Sequence, residues 1–585
     1  MRIKLNLPKR ALPFIFLPIF WLSACQTALW GAPPPAPTTH PDAAAPSQTV
    51  ASLRIFTETA APTFIAPTLA PTLTANPPTP FVLNDEQILV SPSVPFLLRQ
   101  NFSSLGFEII TNTEASAKLK IDLAQPIDGA QNLSTWVYVL VAPFPTLLND
   151  VSTQELLAAW SGENYGRGAG HALMMDESTL ATFSALWGAP APNSVRVVPS
   201  GQILDSAWND MPAWALIPFE QVEPRWKVLT IDGQSPVQKK FDALIYPLTV
   251  QYRLTCADEC PLNLSFSNYD PQKLTTVILT GVTALVRATA ATMDAKGITY
   301  PGDLIRDLLL EADITHINNE VPFYEGCPTP DPNQEKQIFC SAPRYMELLT
   351  SIGMDVVELS GDHFADYHEE AMYQTLKIYE ENHIPYYGGG YNVEDGRKPL
   401  FMEVNGNKIM FIGCNYKTIY ASATETVPGA VPCDFDYMTE QIRAYRAQGY
   451  LPIATFQYHE FDSAAARPQQ ILDFRRMAEA GAVIVSGSQA HVPQAMEFYN
   501  GGFVHYGLGN LFFDQMTNEG AKLTQREFID RHIFYDGKYL GVELITTFLT
   551  DFSRPRYMTA DENARLLTDI FAASGWKFPQ INVKP

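Results

Sequence analysis

At 585 residues the chain is too long for one compact core, and two or three domains are expected. A hydrophobic fraction of 46% with 11% aromatic residues suits a globular protein. The formal charge of −22 argues against a nucleic-acid partner, which needs a basic footprint. It also makes an anionic polymer a difficult ligand unless cationic side chains or a metal line the site.

Residues 1–25 read as a lipoprotein signal peptide. Arg2, Lys4, Lys9 and Arg10 form a basic start, and residues 11–22 are an apolar stretch too short for a comfortable membrane span. The stretch ends in Leu22-Ser23-Ala24-Cys25, which resembles the lipobox of bacterial lipoproteins. That resemblance implies lipidation at Cys25 and an extracytoplasmic protein held at the membrane by its acyl chains. Residues 26–80 are rich in Pro, Ala and Thr and cannot bury enough apolar surface to fold, so they read as an extended linker. The remaining cysteines fall into close pairs, Cys256/Cys260, Cys327/Cys340 and Cys414/Cys433. Three local disulfides in an oxidising compartment are expected, with free buried thiols as the alternative.

From 81 to 252, short apolar strands alternate with helical stretches, which implies an α/β domain. "STWVYVLVAPF" reads as a long buried strand, and "STQELLAAWSG" as a helix opened by Ser152 ahead of Glu155. "VYVLVAPFPTLLNDVSTQELLAAWSG" and "AWALIPFEQVEPRWKVLTIDG" resemble type 2 periplasmic solute-binding proteins of the phosphate-binding sort. No Ser/Thr-Gly phosphate cradle is evident, so no ligand residues carry over from that family.

From 273 to 571 the pattern is again β/α. "TTVILTGVTALVR", "ADITHINNEVPF", "GMDVVELSGDHFADYH", "NKIMFIGCN", "YLPIATFQYHEF", "GAVIVSGSQAH" and "GGFVHYGLGNLFFDQ" each read as an apolar strand, nearly all stopping at polar residues. Ligands of α/β sheets gather beyond the carboxyl ends of strands, so these clusters predict one shared site. In "GSQAH" a tight turn after a strand carries Gln489 and His491.

The phrases "INNEVPF", "ELSGDHFADYHEEAMYQTLKIYEENHIPYYGGGYN", "EAGAVIVSGSQAHVPQAMEF" and "YGLGNLFFD" resemble the CapA family of capsule and poly-γ-glutamate synthesis proteins. The family has a calcineurin-like metallophosphoesterase fold. The expected fold class is therefore α/β: an N-terminal α/β binding-protein-like module, then a four-layer αββα metallophosphoesterase-like domain.

The resemblance carries over residue by residue. Gly281 stands at the family's Gly-Asp, but Val282 replaces the Asp. Arg287 fits an Arg a few residues on, and Asn318-Asn319-Glu320 matches Asn-Leu-Glu. Gly361-Asp362-His363 stands at Asn-Asn-His, with Asp366 at the Asp that follows. Gln457-Tyr458-His459-Glu460 lies near His-Trp-Gly with its His displaced by two positions, and Gln489 and His491 lie near the last paired histidines. The implied metal ligands are Glu320, Asp362, His363, Gln489 and His491. His363 or His459 is the implied general acid or base, oriented by Glu320 or Asp362. Arg287, Asn318, Asn319, Asn392 and Asn510 are the candidate substrate contacts.

With one Asp and one His lost, the set suits one divalent metal (Mn²⁺, Mg²⁺ or Zn²⁺) or none, rather than a two-metal centre. Three functions compete. The first is metal-assisted hydrolysis or transfer on a capsular or poly-γ-glutamate-like polymer, with the capsule synthesis machinery as a partner. The second is non-catalytic grip on an anionic polymer through His363, His491 and Arg287. The third is sensing of a small anion by the N-terminal module.

Overall fold

The strand Leu133–Pro143 runs through the middle of the first region, buried over almost its whole length. A strand covered on both faces needs such an unbroken apolar run. Thr249–Cys256 and Ala215–Pro218 flank it, both antiparallel. Parallel pairs extend the mixed sheet on either side: Gln87–Val90 with Leu119–Leu123, and Leu173–Met175 with Val195–Val197. The helix Thr153–Trp160 starts at Ser152, whose hydroxyl accepts from the Glu155 N–H while the Glu155 carboxylate accepts from the Ser152 N–H. This is the reciprocal cap that the Ser-x-x-Glu spacing encodes.

The computed structural model describes residues 87–577, apart from 112–116, 125–131, 164–165, 167–170, 258–263, 418–419 and 517–520. Cys25, the leader and linker, and Cys260 lie outside the described residues. The other two expected disulfides, Cys327–Cys340 and Cys414–Cys433, are formed. Among the described residues no helix is long and apolar enough to cross a membrane.

The second region holds two sheets. In the first, Tyr386–Tyr387, Val356–Glu358, Ile314–Asn319 and Leu274–Thr280 run parallel. The antiparallel strands Arg526–Tyr535, Lys538–Thr550 and Arg554–Tyr557 extend it. In the second sheet, Asn407–Asn415, Leu451–Gln457, Ile484–Ser488 and Gly502–His505 run parallel between antiparallel edges, Leu400–Val404 and Met496–Tyr499.

Two-residue alternation sorts these strands into layers. Val277, Leu279, Ile314 and Val356 of the first sheet meet Ile409, Phe411, Ile453, Ile484 and Phe503 of the second. Their neighbours Ile278, Ile317 and Val357 point outward, into helices that include His368–Glu381. Met410, Ile412, Ala454, Phe456 and Val485 point the other way, into Phe435–Arg446 and Pro468–Ala480. The result is a four-layer αββα sandwich. The helix Ala560–Ala573 closes one margin, sending Leu566, Leu567, Ile570 and Phe571 into the inter-sheet core.

The two regions share apolar interior. Leu274, Ile533 and Leu540 of the sandwich lie in the core of the first region. Phe144 of the first region sits among Phe498, Phe503, Phe571 and Trp576. All described residues fall within one compact unit.

Candidate functional site

The site is assembled at the ends of strands. Ile314–Asn319 delivers Glu320 directly after its last residue, the turn after Val356–Glu358 delivers Asp362 and His363, and Leu451–Gln457 delivers Gln457. A fourth, Ile484–Ser488, delivers Gln489 and His491. The first two approach so closely that a Cβ on Gly361 would lie 2.3 Å from the Glu320 carbonyl oxygen. Only glycine permits that crossing, and the crossing brings Asp362 and His363 to Glu320.

Ligand atoms of Glu320, Asp362 and His363 lie within 4.8 Å of one another. Among the described residues this is the one cluster of three or more Asp, Glu, His or Cys side chains close enough to hold an ion. Gln457 Nε2 donates to Glu320 Oε1 and Asp362 Oδ1, both at 3.1 Å, and also meets Gln489 Oε1. Gln457 Oε1 accepts from Ser488 Oγ at 2.7 Å. Lys417 Nζ lies 2.7 Å from Asp362 Oδ2 and 2.7 Å from Glu460 Oε1.

Each histidine is oriented through Nδ1. His363 Nδ1 donates to Asp366 Oδ2 at 2.7 Å, and Asp366 also accepts from the Phe339 N–H. His491 Nδ1 donates to Asn510 Oδ1 at 2.8 Å, which leaves Nε2 facing Glu460 at 3.9 Å. A carboxylate or carbonyl behind an imidazole fixes its tautomer and frees the other nitrogen. Gln489 and His491 are buried and hold positive φ, 80° and 57°. Left-handed backbone at a non-glycine residue costs about 1–3 kcal/mol and persists where the surroundings impose it. "GSQAH" is therefore a strained turn facing inward, not an exposed loop.

The electrostatics divide the two carboxylates. Burial pushes Glu320 upward, and the charge of Asp362 adds to the rise. Asp362 is held below its ordinary value, because His363 and Lys417 outweigh its own burial. Burial opposes protonation of His363, but Asp366, Glu320 and Asp362 prevail and raise it to about 9. Burial lowers His491, against its bond to Asn510 and the charge of Glu460.

A divalent cation fits part of this arrangement. Glu320 Oε2 is buried without a hydrogen-bond partner. An orphaned buried oxygen costs about 1–3 kcal/mol, more when charged, and a cation held by Glu320, Asp362 and His363 would relieve it. A second cation does not fit while Lys417 is in place. Val282 is fully buried in an apolar group with Ala284, Val286, Val321, Phe339 and Phe513, where the family offers a carboxylate. Asp362 Oδ2 is already engaged by Lys417.

The other residues named from sequence have these places. His459 stands beyond the strand end, against Tyr416 and Tyr458, while Gln457 takes the inward position. Arg287 is paired with Asp514 at 2.6 Å between the rings of Phe339 and Phe513, so its charge is already neutralised. Asn392 caps the short helix Val393–Gly396 by accepting from the Asp395 N–H. Asn318 and Asn319 are buried beneath the site, Asn318 against Glu358 and Ser488, and Asn319 against the Val321 carbonyl. Asn510 orients His491. Sequence reasoning did not single out Lys417. It lies two residues past the strand Asn407–Asn415, where the strand-end rule applies as well.

Residues 276–515 match the family described as bacterial capsule synthesis protein PGA_cap. The chain is 29% identical over 188 residues to the capsule biosynthesis protein CapA of Bacillus anthracis, covering 31% of this chain and 46% of the relative. It is 30% identical over 175 residues to the PGA biosynthesis protein CapA of Bacillus subtilis (strain 168), covering 29% and 45%. The match thus spans less than half the length of these relatives. Among solved structures, a 5′-nucleotidase precursor from Thermus thermophilus aligns at 13% identity and TM-score 0.31, covering 51% of this chain and 59% of that one. An ABC-type phosphate transport receptor from Vibrio cholerae aligns at 13% identity and TM-score 0.24, covering 30% and 88%. Those scores are low, and the fold rests on the layers and registers described above. Over residues 276–515 the chain carries a domain of the CapA family of capsule and poly-γ-glutamate synthesis proteins.

Proposed function

We propose that the protein acts in the cell envelope on a capsular or poly-γ-glutamate-like polymer, by metal-assisted hydrolysis or transfer during its synthesis, anchoring or export. The observation that carries this reading is the buried meeting of Glu320, Asp362 and His363, with Glu320 Oε2 unpartnered, inside a CapA-family domain. A cation bound there would supply polarisation of a carbonyl or phosphoryl oxygen. The chain's own residues do the positioning. Asp366 fixes the His363 ring, Gln457 and Lys417 hold Asp362, and Asn510 holds His491. The leader, the Cys25 lipobox and the two disulfides support an extracytoplasmic protein anchored by lipid.

A second reading, polymer binding without catalysis, is favoured by the missing ligand at Val282 and by the cation already present at Lys417. One experiment separates the two. Purified full chain is incubated with Mn²⁺ and poly-γ-glutamate or a generic phosphodiester, beside Glu320→Gln. Cleavage by the wild type that is lost in E320Q supports the catalytic reading. Retention of the polymer without cleavage, equal in both proteins, refutes it in favour of the second.

A further inference from the structure

The side chain in the site that no family motif accounts for is Lys417. We propose that its ammonium stands in for the second cation of a two-metal phosphoesterase centre. The site would then pair one exchangeable divalent ion with one fixed, protein-borne positive charge. This rests on the one-metal reading given above and says what replaces the missing ion.

The position is built. The root of Lys417 is fixed by Asn415, whose Oδ1 accepts from the Lys417 N–H at 2.9 Å and whose Nδ2 donates to the Ser360 carbonyl at 2.7 Å. Ser360 lies two residues before Asp362, so one asparagine ties the lysine to the turn bearing its partner. On the other side, Cys414 is bonded to Cys433, and the Cys433 N–H donates to the Asn415 carbonyl at 3.1 Å. The ammonium then bridges Asp362 and Glu460 at 2.7 Å each, the short contacts of charge-assisted hydrogen bonds.

Charge balance points the same way. Three carboxylates face this space, those of Glu320, Asp362 and Glu460, while Asp366 is engaged by His363 and the Phe339 amide. One divalent ion plus one ammonium neutralises three carboxylates. Two divalent ions plus the ammonium would overshoot, beside a Glu320 and an Asp362 that are buried, where excess charge is costly, and a Glu460 that is half-exposed. The two ligand losses agree with this. Val282 removes a carboxylate and Gln489 removes a basic nitrogen, so a second metal would depend on the oxygens of Asp362 and Glu460, which Lys417 occupies.

The test is the number of Mn²⁺ ions bound per chain, measured by equilibrium dialysis on purified full chain, for wild type, Lys417→Arg and Lys417→Met. Wild type and K417R should bind one. K417M, which leaves Asp362 and Glu460 uncompensated, should bind one more than wild type. A folded K417M with unchanged stoichiometry overturns the proposal, as do two ions in the wild type. None in the wild type and one in K417M upholds the role of Lys417 while refuting the one-metal reading. Should K417M fail to fold, the electron paramagnetic resonance spectrum of Mn²⁺-loaded wild type still decides. An isolated Mn²⁺ spectrum is expected, and a spin-coupled pair overturns the proposal.

Discussion

Removing the Cys414–Cys433 bond tests how the turn bearing Lys417 is held. The two cysteines are 19 residues apart in sequence, so the bond closes a loop of about 20 residues. In the chain-entropy account, −2.1 − 1.5R ln n with n of about 20 gives about 11 cal/mol/K, or ~3.3 kcal/mol at 25 °C. That corresponds to about two orders of magnitude in the equilibrium between the closed loop and its locally opened form. The variant is Cys414→Ala with Cys433→Ala, and the assay is native-state hydrogen exchange. Two amides report directly, because the N–H of Lys417 donates to Asn415 Oδ1 and the N–H at position 433 donates to the Asn415 carbonyl. Both should lose protection by up to about 100-fold, while the Cys327–Cys340 loop stays unchanged as an internal control. Undiminished protection at positions 417 and 433 would show that Asn415 and the sheet hold the turn unaided, and the argument from loop closure would fail.

Gly361→Ala places a methyl group 2.3 Å from the Glu320 carbonyl oxygen and 2.6 Å from its Cα, both backbone atoms that cannot swing away. It should cost at least ~1–3 kcal/mol and weaken Mn²⁺ binding; a variant with wild-type melting and affinity refutes the close crossing. Val282→Asp buries a carboxylate in an apolar group, so it should lower the melting temperature without divalent metal and recover part of the loss with Mn²⁺. Recovery that is absent, even alongside Gln489→His, would mean the backbone at 282 does not aim at the site. Glu562 is held at about 2, below the ordinary 4.5, first by the Arg556 hydrogen bond and then by the Thr559 N–H. A depressed carboxylate stabilises the fold above its unfolded value and loses that effect as pH falls through the folded value. For this partly exposed pair, screened by solvent, the effect is ~0.5–1 kcal/mol, so wild type should exceed Glu562→Gln in urea midpoint near pH 7 but not near pH 2, and a pH-independent gap contradicts it.

The β/α pattern was legible because the central strands read as apolar runs, nearly all stopping at polar residues, whereas the four-layer sandwich was expected only from the resemblance to the CapA family. The site was legible in part. His459 was named through the resemblance to His-Trp-Gly, although displaced by about two positions; the strand ends at Gln457, and it is Gln457 that meets Glu320 and Asp362. Lys417 went unnoticed because a lone lysine in a loop resembles ordinary solvated surface, and its partners come from residues 55 and 43 positions away. Only folding brings them together. The hairpin of Arg526–Tyr535 and Lys538–Thr550 left a readable sign that went unused. Asp536-Gly537 takes φ of 50° and 73°, the left-handed pair that closes two-residue hairpins. Asn392 was named for its place in a matched phrase; in the structure its side chain caps Val393–Gly396, which the phrase itself did not reveal.

Phe144 gives the architecture a historical dimension. Its ring belongs to the first region, yet it fills a socket made by Phe498, Phe503, Phe571 and Trp576 at the margin of the sandwich. Such a plug makes the two regions poor candidates for independent shuffling. A lineage that shed the first region would uncover four aromatic rings at once, along with Ile533 and Leu540, and would meet selection against aggregation before any question of activity arose. Relatives that keep the sandwich without this partner should therefore show smaller or polar side chains at the socket positions, and the size of those residues becomes a record of which descendants inherited the pair together.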